Sequence, residues 1–162
     1  MSNCFERIKF LHNFVLEENS VAWLITKCPE LEGFHLSFTV GLEVVETLMP
    51  ALQLASKLEQ IRLRFFDMDL QTMRIVGSSL NAELLTAVSL DFMCEMKESV
   101  VSELCSFLAS TTSLRFLSLT SCDGSFLSEV CLMLEHHSFE KLESFHCNSL
   151  SEQGQEHLSV LL

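Results

Sequence analysis

The 162 residues predict an α/β repeat architecture of six strand–helix units, and three features of the sequence carry that prediction. A nine-residue phrase with apolar residues at its first, fourth, sixth and ninth places returns six times. Each phrase is followed by an apolar stripe at helical spacing. The period, 26 to 29 residues, is long enough for one strand and one helix and for little else.

In chain order the phrases are Phe5-x-x-Ile8-x-Phe10-x-x-Asn13, Leu31-x-x-Phe34-x-Leu36-x-x-Thr39 and Leu58-x-x-Ile61-x-Leu63-x-x-Phe66, then Leu85-x-x-Val88-x-Leu90-x-x-Met93, Leu114-x-x-Leu117-x-Leu119-x-x-Cys122 and Leu142-x-x-Phe145-x-Cys147-x-x-Leu150. Fourth and sixth places are two residues apart, so on a strand they point to one face, the core face. The helical stripes follow at a fixed offset: Val21, Leu24 and Ile25; Val101, Leu104 and Cys105; Val130, Met133 and Leu134; and Leu158, Leu161 and Leu162. Repeats two and three carry stripes displaced by one or two places, Val45, Leu48, Met49 and Leu52 in one, and Met73, Val76 and Leu80 in the other. Pro50 falls inside the second helix, where its missing N–H predicts a kink or short break. Gly77 is expected to weaken the third.

The phrase follows the L-x-x-L-x-L-x-x-N/C pattern, with Asn13 and Cys122 keeping the ninth residue and Thr39, Phe66, Met93 and Leu150 departing from it. On those residues the chain resembles the ribonuclease-inhibitor-like branch of the leucine-rich repeat family, which includes the C-terminal domains of NOD-like receptors and the substrate-binding arcs of F-box proteins. The resemblance spans nearly the whole sequence. It implies a solenoid bent into a horseshoe arc, six parallel strands on the concave face, helices on the convex face and a protein ligand held along the strands. It carries no catalytic residues.

Charge narrows the choice of partner. The net charge is −12, from 10 Lys and Arg against 22 Asp and Glu. Within the six phrases Arg7, Lys9, Arg62, Arg64 and Arg115 balance Glu6, Glu32, Glu59, Asp91 and Glu143, so the excess lies on helices and loops. An acidic outer surface repels nucleic acid and anionic membranes. Charges interrupt every apolar stretch before the roughly 18 residues of a membrane helix. Glu6, Arg7 and Lys9 stand where a secretory leader needs an apolar run. Seven cysteines with no C-x-x-C pair and no glycosylation acceptor fit a reducing compartment, so a cytoplasmic location is expected. Cys105, Cys122 and Cys147 take apolar places of the repeat and read as small core residues.

Metal, cofactor and catalytic sites are not expected. His35 and His146 take the same outward place four strands apart, roughly 19 Å at strand spacing, and His136 and His137 point to different faces of a helix end. No phosphate loop, H-E-x-x-H or G-x-S-x-G motif occurs.

The face of the sheet away from the helices is where a ligand is expected. Its outward places, the third, fifth and seventh of each phrase, hold Arg7, Lys9 and Leu11, then Gly33, His35 and Ser37, then Gln60, Arg62 and Arg64, and become small and polar beyond. Phe38, Phe65 and Phe92 stand at the eighth place of three consecutive phrases. They either roof the core or form an exposed aromatic shelf beside the arginines. The predicted protein-binding set is therefore Arg7, Lys9, His35, Arg62, Arg64, Phe38, Phe65 and Phe92, with Glu32 and Glu59 as the rim carboxylates that could neutralise it.

Neither end of the array has a polar cap, the first repeat starting at Phe5 and the last stopping at Leu162 in mid-helix. The expectation is a single repeat domain, 1–162, cut from a longer protein, with self-association through the ends as the alternative. Three roles fit: the ligand-recognition or autoregulatory arc of an intracellular multidomain protein such as a NOD-like innate immune receptor, the substrate arc of an F-box ubiquitin ligase component, or a free-standing enzyme inhibitor.

Overall fold

A computed structural model describes residues 4–12, 18–121, 125–136, 139–149 and 156–161. Its strands are β1 (Phe10–His12), β2 (Gly33–Val40), β3 (Gln60–Phe65), β4 (Ala87–Phe92), β5 (Phe116–Ser121), β6 (Ser144–Ser149) and β7 (Glu156–Leu161). Between them lie α1 (Glu18–Thr26), α2 (Leu42–Gln53), α3 (Leu70–Ser79), α4 (Glu98–Ala109) and α5 (Ser125–His136). The strands form one sheet in chain order, β1 to β6 parallel throughout. Each helix carries the chain back for the next parallel strand, a return that no tight turn could make.

The strand phase is as the spacing predicts in repeats two to six. Phe34, Ile61, Val88, Leu117 and Phe145 at the fourth place are buried, and so are Leu36, Leu63, Leu90, Leu119 and Cys147 at the sixth. The first-place leucines Leu31, Leu58, Leu85, Leu114 and Leu142 close the same core. Opposite them pack the helical stripes: Val21 and Ile25, then Val45, Leu48, Met49 and Leu52, then Met73, Val76 and Leu80, then Val101 and Leu104, then Val130 and Met133. Neighbouring helices touch in chain order from α1 to α5. Cys147 is buried as expected, Cys105 is half-buried, and Cys122 lies outside the described residues.

One turn of hydrogen bonds repeats at the entrances of β2 to β6. The carbonyl of Lys9 accepts from the N–H groups of both Glu32 and Gly33, that of Glu32 from Glu59 and Gln60, and that of Glu59 from Thr86 and Ala87. Thr86 and Arg115 accept in the same paired way from Arg115 and Phe116 and from Glu143 and Ser144.

Four expectations are corrected. In repeat one the register pairs Phe10 with Gly33, Leu11 with Phe34 and His12 with His35, so the phrase begins at Ile8 and not at Phe5. Three is an odd shift, and an odd shift exchanges the faces of a strand: Leu11, expected outward, is 4% exposed, whereas Phe10, expected inward, is 44% exposed. Secondly, the ninth place is not apolar core. Phe66 is 70% exposed and Met93 also faces solvent, because the chain leaves the strand one residue earlier and the eighth residue takes the buried position. Thirdly, α2 runs unbroken through Pro50, whose ring sits on the solvent side. Lastly, no sixth helix forms over Leu158 and Leu161. Those residues belong to β7, which runs antiparallel to β6 with Phe145 opposite Val160 and Cys147 opposite Leu158. Glu156–Leu161 alternates polar and apolar residues from His157 to Val160, a pattern that serves a strand as well as a helix, and a reversed strand covers the open hydrogen-bonding edge that β6 would otherwise leave.

Among the helix starts, Asp69 caps α3. Its Oδ1 accepts from the Thr72 N–H at 2.7 Å, and that bond holds its carboxyl below the usual carboxylate range. Gly77, the glycine inside α3, lies over the Phe107 ring of α4, and a Cβ there would stand 3.6 Å from the nearest Phe107 carbon. That is ordinary contact, so close packing does not require glycine.

Candidate functional site on the open face of the sheet

The face of the sheet turned from the core is built in columns, one residue per strand. Register places His12, His35, Arg62, Ser89, Ser118 and His146 in the central column. Beside it run Phe10, Gly33, Gln60, Ala87, Phe116 and Ser144. On the other side stand Arg64, Asp91, Thr120 and Asn148, the residues that face one another across β3 to β6.

Two large apolar side chains bound this face. Phe10 and Phe116, on β1 and β5 of the same column, are each about half exposed. The Phe10 ring lies directly over Gly33, so close that a Cβ on residue 33 would collide with its edge. A side chain at 33 would oblige that half-exposed ring to move aside. A shallow depression of about 170 Å³ runs from His35 on β2 to His146 on β6, lined by Gln60, Ala87, Ser89, Ser118 and the Phe116 ring.

Charge is concentrated at the β1–β4 end. Asp91, only 6% exposed, sends one carboxylate oxygen toward two guanidinium groups, Arg62 Nη2 and Arg64 Nη2, each at 3.5 Å. One carboxylate thus serves two arginines, and the group keeps a net positive charge. Arg64 Nε has no acceptor. The strip continues into His35 and His12, whose Nδ1 atoms are 3.0 Å apart with their rings at 81°. Burial, then the neighbouring His12, then Arg62 hold the His35 imidazole below its usual range.

Of the expected site, Arg62, Arg64 and His35 come together as the spacing predicts. Arg7 does not join them; it sits exposed on a 3-10 turn, Cys4–Arg7, ahead of the sheet. Lys9, in the corrected frame, belongs to the second place of its phrase and meets Glu32, the second residue of the next, with Nζ 2.6 Å from Oε1. That hydrogen bond raises the Lys9 ammonium above its ordinary value. Arg115 and Glu143 repeat the pairing farther along the same column, at 2.8 Å from Nε. Glu32 is thereby engaged with Lys9, and the counter-ion of the two arginines is Asp91 and not the rim glutamates.

The aromatic column is corrected. Phe65 and Phe92 are wholly buried and stacked on each other, centroids 5.7 Å apart at 15°, with Phe126 of α5 edge-on to Phe92 at 5.7 Å. They roof the core, and a ligand on the sheet face cannot reach them. Phe38 is not their neighbour: a register shift between His35 and Thr39 sets Val40 opposite Phe65, and the Phe38 side chain lies outside the described residues. His12 escaped the sequence reading because the frame of repeat one was displaced. The signal that would have found it is the alternative start at Ile8, which puts Leu11 in line with Phe34.

The buried thiol of Cys28 and the half-buried thiol of Cys105 are pushed up by desolvation, Cys105 also by Glu129. Such thiols stay protonated and are poor nucleophiles. Among the described residues no group of three or more His, Cys, Asp or Glu is placed to hold a metal ion, and no helix is long and apolar enough to cross a membrane. No protein-family model matches the chain, and no curated protein matches its sequence.

Proposed function

We propose that the chain is a leucine-rich repeat solenoid of the ribonuclease-inhibitor-like kind and that it binds a protein ligand on the open face of its sheet. The shape follows from two spacings. Neighbouring strands lie about 4.8 Å apart and neighbouring helices about 8–10 Å apart, so an array with strands on one side and helices on the other bends toward its strands. The sheet becomes the concave side of an arc.

The observation that carries the binding role is the pair Arg62 and Arg64, two guanidinium groups on one face of β3 that share the carboxylate of Asp91, with the rings of His35 and His12 beside them. Like charges held together on a rigid surface are relieved by an acidic partner, and arginine beside exposed aromatic residues is the composition of an interface hot spot. The ligand is therefore an acidic segment of a protein, lying over the arginines and running along the depression toward Phe116. In this reading the chain is the recognition or autoregulatory arc of an intracellular multidomain protein, and a NOD-like innate immune receptor is the parent that fits best. Buried thiols at Cys28 and Cys147 accord with a reducing, cytoplasmic setting. An inhibitor of a basic enzyme fits less well, since its contact face would need the opposite charge.

Charge reversal tests the reading. Arg62→Glu with Arg64→Glu is compared, in capture from cytosol, with Glu46→Lys and Glu98→Lys on the exposed sides of α2 and α4, thermal stability being followed in parallel. Loss of partners by the sheet variant alone is expected. If the sheet variant keeps every partner and the helix variant loses them, recognition lies on the helices. The milder Arg62→Gln, Arg64→Gln pair removes the cations without setting new carboxylates against Asp91, and so guards against an effect of introduced repulsion.

A further inference from the structure

We infer that His12 and His35 form a two-imidazole chelate for a divalent first-row transition ion. The two residues are directly paired across β1 and β2, and their Nδ1 atoms are 3.0 Å apart. An imidazole nitrogen binds such an ion at about 2.05 Å. Two nitrogens at that range and 3.0 Å apart subtend roughly 94° at the ion, close to the 90° of a tetragonal or octahedral site and within reach of a tetrahedral one. The ring positions agree. With the ion on the axis of each nitrogen lone pair, the centroids fall about 4.7 Å apart, and the observed separation is 4.8 Å. A hydrogen bond between two neutral rings asks only for the short nitrogen–nitrogen distance, with one nitrogen aimed at the other. The chelate fits the same two distances, and metal titration separates it from the hydrogen bond.

The surroundings leave the site usable. His12 is exposed, and its ring is steadied by stacking on Phe10 with centroids 6.0 Å apart. The nearest guanidinium, Arg62, is turned to Asp91. No third protein ligand stands by among the described residues, so water, or a donor from a bound protein, completes the coordination. Two imidazoles and no thiolate or carboxylate select nickel(II), cobalt(II) or copper(II) ions over magnesium and calcium, which take oxygen. Two ligands give affinity on the order of micromolar, far short of a closed structural site with four. The inference rests on this geometry alone and stands apart from the protein-ligand reading.

The probe is nickel(II) added to the full chain, with magnesium as control. One equivalent is expected to bind, and paramagnetic broadening in NMR spectra of the unmodified protein should single out two of the six histidine rings. His12→Gln and His35→Gln should each weaken binding at least tenfold, while His146→Gln, on the same face, leaves it unchanged. Cobalt(II) separates the thiols: an imidazole site shows no thiolate charge-transfer band. Broadening spread over all the histidines, unaltered affinity in His12→Gln, or a thiolate band that disappears on cysteine alkylation would each overturn the assignment.

Discussion

Truncating Phe92 to alanine separates the two readings of the aromatic column by a wide margin. The ring is 0% exposed, stacked on Phe65 and met edge-on by Phe126. Removing a fully buried phenylalanine costs about 3–5 kcal/mol, the transfer energy of the ring together with the cavity it leaves. Two aromatic partners place Phe92 toward the upper end, since each such pair adds about 0.5–1.5 kcal/mol beyond area. The expected loss is thus about 4–5 kcal/mol, which at about 3 °C per kcal/mol for a chain of this size lowers the melting midpoint by roughly 12–15 °C. Phe92→Leu, which keeps most of the volume, should cost under about 1.5 kcal/mol. Phe66→Ala, with its side chain 70% exposed, should stay within about 0.5 kcal/mol of the parent. Urea titration gives all three numbers, with slopes compared to check that the unfolding reaction is unchanged. If Phe92→Ala costs no more than Phe66→Ala and instead abolishes partner capture, the rings are surface groups and the strand phase assigned to β3 and β4 is wrong.

Three further outcomes follow from the packing. Leu11→Ala should cost roughly 2–4 kcal/mol and Phe10→Ala clearly less, near 1 kcal/mol; the reverse order in denaturant titration would restore the frame that starts at Phe5. Gly77→Ala should raise stability by up to about 1 kcal/mol, because helix propensity improves and the new methyl meets Phe107 at ordinary distance; a fall in melting temperature would mean that α3 and α4 pack more tightly than they do here. Asp69→Ala should cost about 1 kcal/mol at neutral pH through loss of the α3 cap. Since the folded-state carboxyl is depressed, the advantage of the parent is complete above about pH 4 and fades as the pH falls through the lowered value. An advantage independent of pH would remove the charge from the explanation.

The six phrases made five of the strand frames and five of the helices readable from spacing alone, because burial on a strand has period two and burial on a helix has period 3.6; the parallel order was what the resemblance to leucine-rich repeats implied. Repeat one was misread for a specific reason. The frame that starts at Phe5 gathers Ile8, Phe10 and Asn13 into the expected places, whereas the frame the sheet adopts puts polar Asn13 at the sixth place, so pattern matching preferred the wrong one. Phe10 looked like a core residue, yet it covers Gly33 from the open side. The ion pairs were legible only in part. Arg62 and Arg64 were visible as neighbours on one face, but their sharing of Asp91 depends on a register between strands 27 residues apart in sequence. The register shift in β2 left no mark in the phrase at all, since Phe38 satisfies the eighth place as well as Val40 does.

The doubled hydrogen bonds at the strand entrances have a consequence for how such a chain tolerates change in length. At the second residue of each phrase a single carbonyl anchors two successive N–H groups of the following unit, whether the residue is Lys9, Glu32, Glu59, Thr86 or Arg115. The seam is written in main-chain atoms and is indifferent to the side chain it carries. It behaves as a coupling of standard gauge, so length can vary in the stretch behind the strand, where the units already differ by up to six residues, 23 from Lys9 to Glu32 against 29 from Thr86 to Arg115, while the sheet stays in step. Excision or duplication from one seam to the next would rejoin identical fittings, and a cut anywhere else would not.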